Sequence, residues 1–339
     1  MNYNVKTGMD VHRHWIPGEY VDYIKKGNIP EMACFSHTED RGDILEFPVP
    51  GNPKKAWIPV SAKLCDIELH SADLVTSRVN MSVICPVPFA LHAHGDAQKV
   101  LAVDKILNDS IAEAVSARKD RFRGLGHLPM QDPKLAVKEL RRVMEGLHLS
   151  GVQIGTNVRG KYLGDPEFEE FWEAVNDYKA VVLIHPIDVA GYDRLQAFYG
   201  RNLIGNPLET TITAGSLIFS GIFDRMPDLR IVLCHAGGMM PYIIGRWDHG
   251  YACRSECKKP QRKPSEYLRN FHYDIIAHSP ESLRFLVDVV GADRVVVGSD
   301  YPLDMGLSDP IGTLEKAELP EEAFDKIMND NARRLYGLD

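Results

Sequence analysis

The chain has 339 residues, 44% of them hydrophobic and 25% charged, with 47 acidic against 39 basic side chains and a formal net charge of −8. That balance excludes a disordered or collagen-like chain and leaves no basic excess to neutralise nucleic-acid phosphates. The length suits either two ordinary domains or one barrel-sized domain.

In chain order, the first β-rich run is Val5–His12. A stretch from Trp15 to about Asp66 follows, rich in proline, glycine and aromatic residues (PGEY, FPVPGNPKKAWIPV). Connections this long inside a compact domain usually carry function or small structure of their own, so an inserted subdomain or lid is expected at about 15–66. A helical signal near Leu69–Thr76 leads into a second strand, Val79–Val87. In Ala97–Arg118 apolar residues recur at Val100, Val103, Ile106 and Leu107, the spacing of a helix. Phe122–Leu128 is the third strand. Asp132 then caps a helix that opens on Pro133 and runs to Gly146. After the strand Gly151–Thr156, Asp165 and Pro166 repeat the device before Glu167–Tyr178. The remaining strands are Ala180–His185, Arg230–His235, Phe271–Ile276 and Arg294–Asp300. They alternate with helical stretches at Leu208–Ser220, Met240–Cys253, Pro280–Val290 and Pro320–Tyr336.

Several strands are continuous apolar runs (AVVLIH, RIVLCH, RVVVGSD), as strands buried on both faces require. Eight of them alternating with helices predict an α/β chain closed into a (β/α)8 barrel, one domain over 1–339. An open doubly wound sheet is the alternative.

The histidines fall at strand ends. His12 and His14 stand two apart in Asp10-Val11-His12-Arg13-His14 and so share one side of a strand. His185 ends LIHP, His235 ends LCHAGG, and Asp300 ends GSDYP. The carboxyl ends of barrel strands meet at one mouth, so these distant residues are expected to converge. Three neutral imidazoles and a carboxylate suit a borderline divalent cation, zinc first, with Mn2+, Fe2+ or Co2+ as other choices.

Asp10-x-His12-x-His14, His185-Pro186, His235-Ala236-Gly237-Gly238 and Gly298-Ser299-Asp300-Tyr301-Pro302 resemble the amidohydrolase superfamily. The nearer likeness is to the branch of 2-amino-3-carboxymuconate-6-semialdehyde decarboxylase and related nonoxidative decarboxylases. GVQIGTN, PLETTITAGSLIFSGIFDRMPDLRIV, GRWDH and KPSEYLRNF extend it over nearly the whole chain, least between Trp15 and Asp66. The resemblance implies a distorted barrel with one divalent metal held by His12, His14, His185 and Asp300. It casts His235 as the acid/base. It casts Arg246 as an arginine that reaches a neighbouring subunit's site in a homodimer and holds a substrate carboxylate. No lysine follows the fourth strand, where Gly155-Thr156-Asn157 stand, so a bridged pair of metals is not expected. The family's substrate-gripping arginine of the inserted region is replaced, at Ile58, within KKAWIPVSAK; Lys54 or Lys55 is a candidate substitute.

Decarboxylation of an unsaturated or aromatic carboxylic acid is therefore expected. The same parts could instead serve a hydrolase or a hydratase, because fold does not fix function. Further candidate substrate contacts are His92 and His94 of a second HxH, His127, and an aromatic wall of Trp57, Phe198 and Tyr199. Asp304 and Met305 follow the last strand and could line the pocket. The expected partner is a small carboxylic acid, with neither nucleic acid nor membrane. No apolar run approaches the ~20 residues of a membrane span, and the opening MNYNVKTGMDVHRHW lacks a secretion-signal layout. Cytoplasmic residence is expected, with Cys34, Cys65, Cys85, Cys234, Cys253 and Cys257 as reduced thiols.

Overall fold

Apolar runs that satisfy a strand on both faces must be covered on both faces, and here a parallel sheet curls on itself to do so. The computed structural model describes residues 7–49 and 52–338. Its barrel strands are β1 (Gly8–Trp15), β2 (Val79–Pro86), β3 (Phe122–Gly126), β4 (Gly151–Gly155), β5 (Val181–His185), β6 (Arg230–Leu233), β7 (Phe271–Asp274) and β8 (Val295–Val296). They lie in sequence order in one parallel sheet. Closure comes from backbone bonds between β1 and the segment after β8: Val11 N–H to Val297 O (2.9 Å), Asp300 N–H to His12 O (2.8 Å) and His14 N–H to Tyr301 O (2.8 Å). A doubly wound sheet reverses its strand order partway across; this one does not, so the open-sheet alternative falls.

The interior holds Met9, Val11, Val83, Leu125, Leu183 and Val232. A second apolar layer, including Leu140, Val152, Phe171, Trp172, Ile184 and Leu217, joins strands to the surrounding helices. The helices at Ala97–Ala117, Met240–Cys253 and Pro280–Val290 follow their apolar spacing closely. Asp96 and Asp132 cap helices by accepting two backbone N–H groups each.

Several boundaries differ from expectation by a residue or more, and three of them bear on the site. β1 begins at Gly8 and runs on through His14 to Trp15; Val5 lies outside the described residues. β6 stops at Leu233 and β8 spans only two residues, so His235 and Asp300 sit beyond their strands. The reason is local. His235, Ala236 and Asp300 have φ of 55°, 56° and 57°, which takes the backbone off the ladder. Side chains replace the lost partners. Asp274 accepts from the N–H groups of His235 (3.0 Å) and Ala236 (2.8 Å), and Asp10 accepts from Ser299 N–H (3.0 Å) and Oγ–H (2.6 Å).

The segment between β1 and β2 has its own structure: a helix at Gly18–Lys25, a three-stranded antiparallel sheet (Cys34–Thr38, Gly42–Val49, Asn52–Pro59) and helices at Ala62–Cys65 and Ile67–Thr76. Its apolar side chains Tyr20, Ile24, Leu45, Phe47 and Ile58 cluster with Val100, Val103 and Leu107 of the long helix. The insertion is thereby anchored to the barrel's second βα unit.

Burial also gives the fold a pH dependence. It pushes His70 and His92 down to about 3 and His272 to about 4. These imidazoles are neutral when folded, whereas the unfolded chain protonates them below ~6.5. Their stabilisation is complete above that value and lost as pH falls. Between pH 6.5 and 5.5 each should cost ~1 kcal/mol, about 3 kcal/mol together. Urea midpoints at the two pH values measure this, and a midpoint that holds or rises on acidification rejects it.

Candidate metal centre and active site

β1 carries His12 and His14 on one face, with their ring centroids 4.9 Å apart. β5 ends on His185, whose ring lies 5.3 Å from His12 and 5.1 Å from His14. The turn after β8 brings Asp300 over the same point. One ligand atom from each of these four buried residues falls within 4.8 Å of all the others. His12 Nε2 and His14 Nε2 are 3.1 Å apart. Asp300 Oδ1 stands 3.3 Å from His12 Nε2, 2.8 Å from His14 Nε2 and 4.0 Å from His185 Nε2. Tetrahedral bonds of ~2.0–2.1 Å would hold donors roughly 3.3–3.4 Å apart.

The outer face of each ring explains what the inner face is for. His12 Nδ1 meets Asp274 Oδ2 (2.9 Å), His14 Nδ1 meets Pro86 O (2.9 Å) and His185 Nδ1 meets Pro186 O (3.1 Å). A carbonyl or carboxylate there accepts a hydrogen bond from Nδ1–H, which leaves the Nε2 lone pair aimed inward. His185 Nε2 and Asp300 Oδ1 are buried yet form no hydrogen bond. Buried polar atoms rarely stay unsatisfied, so the pair fits the role of cation ligands. The donor set of three imidazoles and one carboxylate has the composition of a divalent-metal site.

Electrostatics agree for most of the set. Burial and the neighbouring imidazoles hold His185 well below its ordinary range, so it is neutral. Burial disfavours the Asp300 carboxylate, but His12, His14 and His235 outweigh it and keep the group ionised. Burial leaves His14 lowered, with Asp300 opposing. His12 goes the other way: burial is overcome by Cys234, Asp300 and Asp274, which favour its protonated form. A cation at Nε2 would take the place of that proton.

His235 leans over the cluster. Its ring lies 5.3 Å from His185, and its Nε2 is 3.7 Å from Asp300 Oδ2. A cavity of about 620 Å3 opens above, lined by His185, His235 and Asp300 on the barrel side and by Trp57 and Ile58 from the inserted sheet. Tyr199, Asp304 and Met305 also line it, and the Tyr199 hydroxyl donates to Asp304 Oδ2 (3.0 Å). Lys55 reaches the cavity, with Glu46 at 3.8 Å; the Lys54 side chain lies outside the described residues.

Other expected contacts are placed elsewhere. Phe198 is 95% exposed and lines none of the described cavities. His92 and His94 line a neighbouring cavity of about 730 Å3 instead. There His92 Nε2 meets the Tyr20 hydroxyl (2.9 Å) and His94 Nε2 meets Asp188 (2.7 Å). Those partners come from the insertion and from the loop after β5, which draw the HxH pair away from the cluster. His127 is buried against Asp104 (2.5 Å), where it packs rather than faces a ligand. Arg246 is exposed on the helix Met240–Cys253 and does not reach the cavity of its own chain. Among the described residues neither Cys253 nor Cys257 joins a metal-binding group.

Two contributors escaped the sequence reading. Asp274 orients His12 and pins the turn carrying His235; it ends β7 at the mouth, two residues before the strand end that the sequence suggests. Arg201, which lines the cavity from the loop after β5, carries no local signal.

A parallel barrel with this cluster at its carboxyl mouth defines the class of metal-dependent barrel enzymes. The chain belongs to the amidohydrolase family, whose profile, described as "Amidohydrolase", matches residues 9–338. It is 36% identical over 335 residues to the 2-amino-3-carboxymuconate-6-semialdehyde decarboxylase of Dictyostelium discoideum, covering 98% of this chain and 92% of that one. It is 28% identical to the gamma-resorcylate decarboxylase of Rhizobium sp. (strain MTP-10005), covering 93% and 99%. Among solved structures, 5-carboxyvanillate decarboxylase from Sphingomonas paucimobilis superposes with a TM-score of 0.81 at 26% identity, covering 98% and 99%.

Proposed function

We propose that the protein is a metal-dependent nonoxidative decarboxylase of an unsaturated or aromatic carboxylic acid. The observation that carries this is the meeting of His12, His14, His185 and Asp300 within 4.8 Å, beneath His235, in a family whose relatives are decarboxylases. Those four residues hold one divalent ion. Zinc fits three nitrogens and one oxygen best, with manganese, iron and cobalt as alternatives. Such an ion supplies a Lewis acid for oxygen substituents of the substrate.

The chain's own residues do the rest. Trp57, Phe89 and Leu303 offer apolar walls to a planar acid and limit water. His235 delivers a proton to the carbon bearing the carboxylate. A C–H bond forms, the C–C bond breaks, and its electron pair refills the π system as CO2 leaves. His235 then regains a proton from solvent. In this reading the insertion at about 15–66 acts as a lid on the barrel domain, since Trp57 and Ile58 roof the cavity.

A homodimer is part of the proposal. The helix that exposes Arg246 also exposes Tyr242, whose ring stands 6.2 Å from that of half-exposed Phe285; a second copy would cover this apolar surface. No helix among the described residues is long and apolar enough to cross a membrane. Six free thiols support cytoplasmic residence.

Metal removal tests the core of the reading. Chelator-stripped protein should lose CO2 release from ortho-substituted aromatic acids and muconate-type semialdehydes, and about one equivalent of zinc or manganese per chain should restore it. Turnover that yields an opened ring or two new end groups without CO2 would make the protein a hydrolase instead.

A further inference from the structure

We propose that Arg201 selects for substrates carrying a second acidic group, one retained in the product; this rests on the decarboxylase reading. Arg201 begins the helical turn Arg201–Gly205 after β5 and is half-buried. It lines the cavity that contains His185, His235 and Asp300. Two Lys or Arg side chains are among the described residues lining that cavity. Lys55 is exposed and has Glu46 beside it. Arg201 has no carboxylate within 4.0 Å among the described residues; its guanidinium instead lies 5.2 Å from the centre of the Phe89 ring. The acids nearby are engaged elsewhere. Asp304 accepts from the Tyr199 hydroxyl, and Asp300 faces the imidazoles.

A guanidinium braced on an aromatic face keeps its N–H edges free, in the fork that matches a carboxylate. Arg201 and Phe89 also line the neighbouring cavity of about 730 Å3, so the pair stands on the wall between the two spaces. An anion held there lies to one side of the reacting centre.

The carboxylate held by Arg201 is not the departing one. CO2 leaves uncharged, so a cation paired with the departing group would stabilise the starting acid more than the transition state. A group that keeps its charge throughout carries no such penalty. Arg201 therefore contributes binding, which appears in KM and leaves kcat nearly unchanged.

The test uses metal-loaded protein titrated calorimetrically with isophthalate and benzoate, which differ by one carboxylate. Wild type should bind isophthalate about 10–100-fold more tightly. Arg201→Met should bring isophthalate down to the benzoate level and leave benzoate and metal content unchanged. Arg201→Lys should recover part of the difference, since lysine offers charge without the fork. Equal affinity for both acids in wild type, or equal weakening of both in Arg201→Met, overturns the proposal. The underlying reading fails separately: wild type could show the isophthalate preference and yet release no CO2 from any acid offered.

Discussion

Changing His235 to Asn is expected to cut CO2 release about 10³-fold, or ~4 kcal/mol of transition-state stabilisation, while the protein keeps its metal. Asn suits the test because His235 sits at φ 55°, a conformation that Asn tolerates better than most residues. The Asp274 carboxylate grips the backbone N–H of residue 235, so that anchor survives the change. With Nε2 3.7 Å from Asp300 Oδ2, the imidazole is beside the cluster and is not one of the four grouped donors. Steady-state CO2 release and elemental analysis of the same sample decide the matter. Full turnover with metal retained would remove His235 from the mechanism; loss of metal together with turnover would make it a ligand.

Asp300→Asn should lose the metal along with turnover. The amide keeps the size and tolerates φ 57°, but it lacks the charge that balances three imidazoles around a cation. Losing an outer partner of a ligand typically costs 10–100-fold in metal affinity, and losing a ligand itself should cost more, roughly 10³-fold. Turnover should fall to background, and dialysed protein should hold about a tenth of the wild-type metal. A second readout follows from linkage: chelator should lower the wild-type melting temperature and leave that of the variant almost unmoved. One metal per chain and normal turnover in Asp300→Asn would dismiss the four-residue centre.

The two variants probe positions of unequal legibility. His12 and His14 were readable because a strand repeats every two residues, so HxH puts both rings on one side wherever the strand goes. His185 needed the further inference that strand ends of a barrel share a mouth. His235 and Asp300 lie at the mouth but past the ladder, in left-handed backbone held by Asp274 and Asp10. Nothing within a few residues of LCHAGG or GSDYP reveals those distant carboxylates. Asp274 ends its strand only in the structure; the β-rich run Phe271–Ile276 carries the expected strand two residues past it, which hides it as a strand end.

The insertion was legible as an insertion and not as a structure. Its helix Gly18–Lys25 buries Tyr20, Val21 and Ile24 against the rest of the fold. That pattern occupies two turns only and follows a proline, so the sequence marks an inserted subdomain there without marking this helix. Which way Trp57, Phe198 and the second HxH point depends on what the loops pack against. Trp57 roofs the cavity, Phe198 faces solvent, and His92 and His94 turn to partners outside the metal cavity.

Local physics was thus enough for eight strands alternating with helices and for the chemistry at their ends, while closure into a barrel and not an open sheet was settled by the strand order and the bonds from β1 to the segment after β8. Apolar runs demand two covered faces, helices alternate with them, and strand ends punctuated by His and Asp mark the chemistry. Tertiary structure alone decided the rest: which carboxylates hold the turns, which side chains share the cavity, and that Arg201 stands there beside the Phe89 ring with no carboxylate within 4.0 Å among the described residues. Those outcomes depend on loop directions, which are set by contacts between residues tens to hundreds of positions apart and leave no periodic trace in the chain.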